Sequence, residues 1–110
     1  MRRRILLLAA ALLAGPAAAR ADSPPQIAVT IKNHRFTPAE IHVPVGHPVV
    51  LVVQNLDDQV EEFESNVLRV ERLVAAGQTL MIRLRPLGPG RYPFFGDFHQ
   101  DTAQGVVVAP

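Results

Sequence analysis

From Gln26 onward the apolar residues of this chain recur at every second position, and proline or glycine interrupts the pattern every few residues. Ile27, Val29 and Ile31 alternate with Ala28, Thr30 and Lys32. Ile41 and Val43 alternate with Glu40 and His42, and Leu80, Ile82 and Leu84 with Met81, Arg83 and Arg85. A period of two is that of a strand with one buried face. Residues 49–53 form an unbroken aliphatic run, as in a strand covered on both sides or set in a sandwich core. Residues 61–65, 92–95 and 106–108 read as further strands, and the Pro- and Gly-bearing segments 44–48 and 86–90 as tight turns. Residues 66–78 carry no clear period, and a short helix fits there. No stretch supports a helix longer than about two turns. Ten prolines suit turns and sheet edges better than helices. The expected architecture is therefore all-β, a sandwich or small barrel of about seven short strands.

The first 21 residues stand apart. Arg2, Arg3 and Arg4 precede a ten-residue apolar run, Gly15 and Pro16 break it, and Ala19-Arg20-Ala21 offers a small-residue exit. The run is well short of the ~20 residues that span a bilayer, and the order basic, apolar, small is that of a secretory signal peptide. Residues 1–21 are read as that signal, cleaved near Ala21, and residues 22–110 as one exported domain, periplasmic in a bacterium. Removing Arg2, Arg3, Arg4 and Arg20 leaves 7 basic against 10 acidic residues, a formal charge of −3. The basicity of the whole chain thus belongs to its leader, and nucleic acid is not an expected partner. The chain has no cysteine, so disulfides cannot supplement a small core, and a bound metal would add to its stability.

The strand at residues 92–95 runs into a polar loop bearing Asp97, His99 and Asp101, after which Gly105 opens a last apolar strand. Upstream, an extended segment 61–65 sets Phe63 on one face and Glu62 with Glu64 on the other. Glu62, Glu64, Asp97 and His99 are the candidate metal ligands. Glu61 could take the place of Glu62, and Asp101 and His34 are outlying candidates. Each also has an ordinary role open to it: loop capping for His99, an Asx turn for Asp97, a solvated strand face for the glutamates. His42 and His47 are read as structural.

Two signatures in order carry a resemblance. Phe36-x-Pro38-x-x-Ile41-x-Val43-Pro44-x-Gly46 is followed by an apolar strand and Asn55-x-Asp57; Pro89-Gly90-x-Tyr92-x-Phe94 is followed by His99 and Gly105-x-Val107. Together, over residues 27–109, they resemble the cupredoxins, the Greek-key β-sandwich of blue copper proteins. The resemblance implies that the blue-copper cysteine position is Gly96, the following histidine His99 and the methionine position Ala103, with the upstream histidine replaced by Glu61 or Glu62. Without cysteine a His₂Cys blue-copper centre is impossible. Oxygen ligands with an imidazole suit iron, manganese or a tetragonal Cu(II) instead. The cupredoxin topology also implies that segments 33–38, 55–61 and 96–104 meet at one end of the sandwich and His47 lies at the other.

Finer wording, Glu61-Glu-Phe-Glu-Ser65 and Phe95-Gly-Asp-Phe-His99 with Thr102-Ala103-x-Gly105, is similar to small periplasmic cupredoxin-like proteins that accompany bacterial ferrous iron permeases, related to the cupredoxin domain of EfeO-type proteins. That implies a periplasmic protein of iron acquisition that binds iron, copper or both and assists Fe(II) oxidation before uptake, with a permease or redox protein as partner. Bridged sites in a homodimer are compatible with so many carboxylates. An enzyme proper would need an electron acceptor, and none is identifiable in the sequence, so a binding or accessory protein is the stronger reading. The competing reading is a metal-free cupredoxin frame that docks on a transporter or redox partner.

Overall fold

The computed structural model describes residues 23–110; the expected signal peptide lies outside them. Nine strands follow in order: β1 (Gln26–Lys32), β2 (Arg35–Thr37), β3 (Glu40–His42), β4 (Val49–Asn55), β5 (Glu61–Ser65), β6 (Val70–Val74), β7 (Thr79–Leu84), β8 (Gly90–Gly96) and β9 (Gln104–Ala109). One 3₁₀ turn, Asp97–His99, sits between the last two. The strands form a four-stranded sheet, β2-β1-β4-β7, and a five-stranded sheet, β3-β9-β8-β5-β6. Each sheet holds one parallel pair, β1 with β4 and β3 with β9, which is how strands distant in sequence are interleaved across a sandwich.

The all-β sandwich is as the alternation requires, with nine strands where about seven were expected. The two additions are short or irregular in pattern. β2 has three residues, of which Phe36 alone is buried. β6 occupies the segment that offered no period and room for a helix; it is an edge strand whose only fully buried residue is Val74. An edge strand contacts the core at one end and water along the rest, so it leaves no alternation to read.

The core is the inward set from both sheets: Val29, Ile31, Leu51, Val53, Ile82 and Leu84 from one, Ile41, Phe63, Val74, Phe94 and Val107 from the other. Phe36, Phe63 and Phe94 meet in its centre. Phe63 and Phe94 stack with centroids 4.7 Å apart, and Phe36 meets Phe94 edge-on at 4.9 Å. Such pairs contribute about 0.5–1.5 kcal/mol each beyond the area they bury. Gly105 lies opposite Phe94 in the ladder, and a Cβ there would run into the Phe94 ring. The aromatic cluster thus explains the glycine that opens β9.

Candidate metal centre

β5 divides its acids between two worlds. Phe63 and Ser65 point into the sandwich, and the two-residue period sends Glu61 the same way, while Glu62 and Glu64 face outward. Glu61 has a side chain only 2% exposed, a burial that a carboxylate tolerates only with partners. It has three. Its Oε1 accepts from the main-chain N–H of Glu62 and of Phe98, both at 2.9 Å. Its Oε2 lies 2.6 Å from His99 Nδ1. With Oε1 accepting two N–H groups, Oε2 is the acceptor for a proton carried on Nδ1, which leaves Nε2 as the free nitrogen of His99. One side chain therefore ties β5 to the 3₁₀ turn.

The surroundings of Glu61 complete the picture. Gly96 closes β8, and its N–H donates to the carbonyl of Ala103 at 2.8 Å. A Cβ placed on Gly96 would lie 2.7 Å from the Ala103 Cβ, 2.7 Å from Glu61 Cδ and 2.8 Å from Glu61 Oε2. Ala103 is fully buried. The position implied for cysteine is thus not just altered but closed, because the Glu61 carboxylate occupies the space a side chain would need. Between Glu61 and Glu62, the structure assigns Glu61 to the hollow shared with Gly96, His99 and Ala103. These residues do not fit a blue-copper ion.

The outward acids form a second group. One carboxylate oxygen from each of Glu62, Glu64 and Asp97 lies within 4.8 Å of the others, and all three residues are half-buried. Glu71 stands directly across from Glu64 on β6. Among the described residues no Lys or Arg pairs with any of these carboxylates; the ion pairs there are His42 and Arg91 with Glu40, and His99 with Glu61. Desolvation, repulsion from Glu71, a hydrogen bond with Glu64 and repulsion from Glu64 and Asp97 push the Glu62 carboxyl above the ordinary glutamate range. Such crowding of uncompensated oxygens is relieved by a proton or a cation.

A third part holds the rim. Asn33 and His34 are the two turn residues between β1 and β2, both with positive φ, 52° and 57°, as a tight hairpin requires. Their main-chain N–H groups donate to the two oxygens of Asp57, at 2.7 and 2.9 Å. Burial alone would raise the Asp57 carboxyl; the two N–H groups, with the nearby His34 and Lys32, outweigh it and hold the carboxyl below its ordinary value. Asn55 braces the same loop: its Nδ2 donates to the carbonyls of Gln59 and Val74, and its Oδ1 accepts from the Asp57 N–H. The clamped turn delivers the His34 ring onto His99, the two stacked with centroids 3.5 Å apart and planes 14° from parallel. Parallel rings at that spacing cannot both aim a lone pair at one ion, so in this arrangement His34 covers His99 rather than chelating with it.

Of the four candidate ligands, then, Glu62, Glu64 and Asp97 come together. His99 shares the turn with Asp97 but is engaged by Glu61 on the inner side. Asp101 is exposed and outside the acidic group. The expected convergence of segments 33–38, 55–61 and 96–104 is realised in the contacts of His34, Asp57, Glu61 and His99. The sequence offers Glu61 only as a substitute for Glu62. The signal that distinguishes it was present, since Phe63 inward puts Glu61 inward too. Of the loop aromatics, Phe94 is core, whereas Phe98 is 48% exposed at the rim.

The family model of the cupredoxin-like domain matches residues 4–109. The chain belongs to the cupredoxin-like domain family. An uncharacterized protein of Rickettsia prowazekii (strain Madrid E) is 46% identical over 83 residues, covering 76% of this chain and 66% of the relative. The chain therefore spans slightly less than two thirds of that protein's length. Among solved structures, the metal-binding domain of the Cu(I)-exporting P-type ATPase CopA of Streptococcus pneumoniae D39 superposes with a TM-score of 0.69 at 16% identity, over 77% of this chain and 84% of that one. Auracyanin A, a blue copper protein of Chloroflexus aurantiacus, gives 0.67 at 16% identity over 78% and 99%. A purple cupredoxin of Nitrosopumilus maritimus gives 0.58 at 17% identity over 76% and 99%. At such identities the likeness establishes the fold, and it is the fold of copper-binding proteins. This cupredoxin-like domain keeps the frame and lacks the thiolate.

Proposed function

We propose that this cupredoxin-like protein is an exported, periplasmic metal-binding protein of iron acquisition, in which Glu62, Glu64 and Asp97 hold a hard cation on the outer side of β5. The observation that carries the reading is the acidic group: three carboxylate oxygens within 4.8 Å with no basic side chain paired to them among the described residues. An all-oxygen set favours ions such as Fe(III) or Mn(II) and disfavours Cu(I), which needs sulfur. Export rests on the basic, apolar and small-residue order of the first 21 residues. The iron role rests on the resemblance to permease-associated cupredoxin-like proteins, and a permease or periplasmic redox protein is the corresponding partner.

His99 has a distinct part in this reading. Glu61 fixes its orientation and leaves Nε2 free beside the 3₁₀ turn that also carries Asp97, so it is the imidazole available to an ion such as Cu(II) that prefers nitrogen. Calorimetric titration of the purified protein with Fe(III), Mn(II) and Cu(II) tests the assignment. Binding tighter than about 100 μM is expected for at least one hard ion, weakened at least about tenfold by Glu64→Gln or Asp97→Asn. No binding, or an affinity indifferent to both substitutions, would favour the metal-free docking module instead. His99→Ala should leave hard-ion binding intact and weaken Cu(II).

A further inference from the structure

β6 and β7 follow each other in the chain but belong to different sheets, and each is the edge strand of its sheet on that side of the sandwich. Between them runs a groove of about 440 Å³, a size within the usual range of small-ligand sites. Val70, Ile82 and the exposed Met81 supply its apolar lining, and three guanidinium-bearing residues flank it: Arg69 and Arg72 from the β6 side, Arg83 from β7. Arg85 stands at one end, its Nη1 donating to the carbonyl of Leu68 at 3.1 Å.

The distribution of charge makes this groove unusual for the domain. After residue 22 the chain has seven Lys and Arg residues, Lys32, Arg35, Arg69, Arg72, Arg83, Arg85 and Arg91. Three line the groove and a fourth adjoins it, although the domain is acidic overall. Among the described residues Arg91 is the arginine with an ion-pair partner, Glu40 at 3.6 Å, while Arg69, Arg72 and Arg83 have none. Glu71 lines the same groove without pairing to any of them. Arginine in this number, set on β6, β7 and the turn before β6 around a partly apolar groove, is suited to an oxyanion, which each planar guanidinium can engage by two parallel N–H bonds. A two-fold pairing of copies through this side would bring like charges together and is disfavoured. Arg69 is also held at φ 58°, a left-handed conformation uncommon outside glycine and asparagine, in the turn where its N–H donates to the Asn66 carbonyl.

We propose that the β6–β7 groove binds a small oxyanion carrying two or more negative charges, of the polycarboxylate or phosphate class, through Arg69, Arg72 and Arg83. The site is built from residues other than Glu62, Glu64 and Asp97, with Glu71 bordering both groups, and it does not require that the acidic group bind a metal. A headgroup in an anionic membrane presents the same chemistry as a free anion, and the test separates the two.

Metal-free protein is titrated with citrate and with pyrophosphate at roughly 150 mM salt, where long-range attraction is screened. Binding is followed by calorimetry and by the amide NMR shifts of β6 and β7. The expected result is saturable binding of at least one anion with a Kd below about 1 mM, shifts centred on residues 69–72 and 81–83, and a loss of about tenfold or more in affinity in Arg72→Gln and in Arg83→Gln. The protein is metal-free throughout, which keeps this result separate from the metal assignment, and Arg35→Gln, on β2 and outside the groove, should leave the anion affinity unchanged. Absence of saturation by 10 mM of either anion would overturn the proposal. So would affinity unchanged in Arg72→Gln/Arg83→Gln, or sedimentation with phosphatidylglycerol vesicles in the absence of any free-anion binding.

Discussion

Glu61 and Glu62 are neighbours in sequence and opposites in circumstance. Glu61 is buried and fully partnered, by two main-chain N–H groups and His99. Glu62 is half-exposed, crowded by Glu64, Glu71 and Asp97, and has no basic partner among the described residues. The first arrangement closes the hollow in which a cupredoxin of the blue type would hold copper; the second leaves negative charge in want of a cation. Satisfied polar groups hold a structure together, and unsatisfied ones are where a ligand can gain most. In this domain the partnered carboxylate lies on the inner side of β5, and the carboxylates without a basic partner among the described residues lie on its outer side.

The sharpest way to break that contrast is Glu61→Ala. It strands His99 and two N–H donors in a nearly dry site, and a loss of about 3 kcal/mol in unfolding free energy is expected from chemical denaturation. Glu62→Gln should cost no stability; an equal loss from both would erase the distinction. Next in size is Gly96→Ala, whose Cβ has no room between Ala103 and Glu61; about 1–3 kcal/mol of destabilisation is expected. A fully stable Gly96→Ala protein would mean that the Glu61 carboxylate moves aside readily and that the hollow is not closed.

pH sharpens the comparison at smaller amplitude. Folding raises the Glu62 pKa, so the folded state holds that proton more tightly than the unfolded chain. Its contribution is therefore present below the ordinary glutamate range and is lost as pH rises from there through the raised value. Asp57 is opposite in sign: its carboxyl is lowered on folding, so it stabilises above the ordinary aspartate range and that stability is lost as pH falls through its folded pKa. Thermal midpoints across pH in Glu62→Gln and Asp57→Asn should each remove one of these slopes. A wild-type slope retained in Glu62→Gln would place the raised group elsewhere. By the same logic cation binding at the acidic group should strengthen as pH rises through the Glu62 titration, and a pH-independent affinity would argue against Glu62 as a ligand.

Much of this is legible in the sequence. The alternation in β1, β3 and β7 pointed to the sandwich, because burial of one face leaves a two-residue imprint, and the unbroken aliphatic run of β4 fitted a strand in its core. β6 left none, because an edge strand with Glu71, Arg72 and Leu73 in water does not need one. Glu62, Glu64 and Asp97 were recognisable as candidates from residue type and parity, since period two fixes which side chains share a face.

What the chain alone determined is therefore the set of faces: which residues look inward and which outward along each strand, a matter of backbone geometry and apolar spacing. What tertiary structure decided is which faces meet. His99 could as well have joined the outer acids as the inner one. It went to Glu61 because β5 and β8 pair only at Phe63–Gly96 and Glu64–Phe95, which sets the 3₁₀ turn over the buried end of β5, where a carboxylate without a partner would be costly. Likewise the arginines of β6 and β7, ten or more residues apart in sequence, share a groove because two sheets end side by side, a fact that no local pattern records.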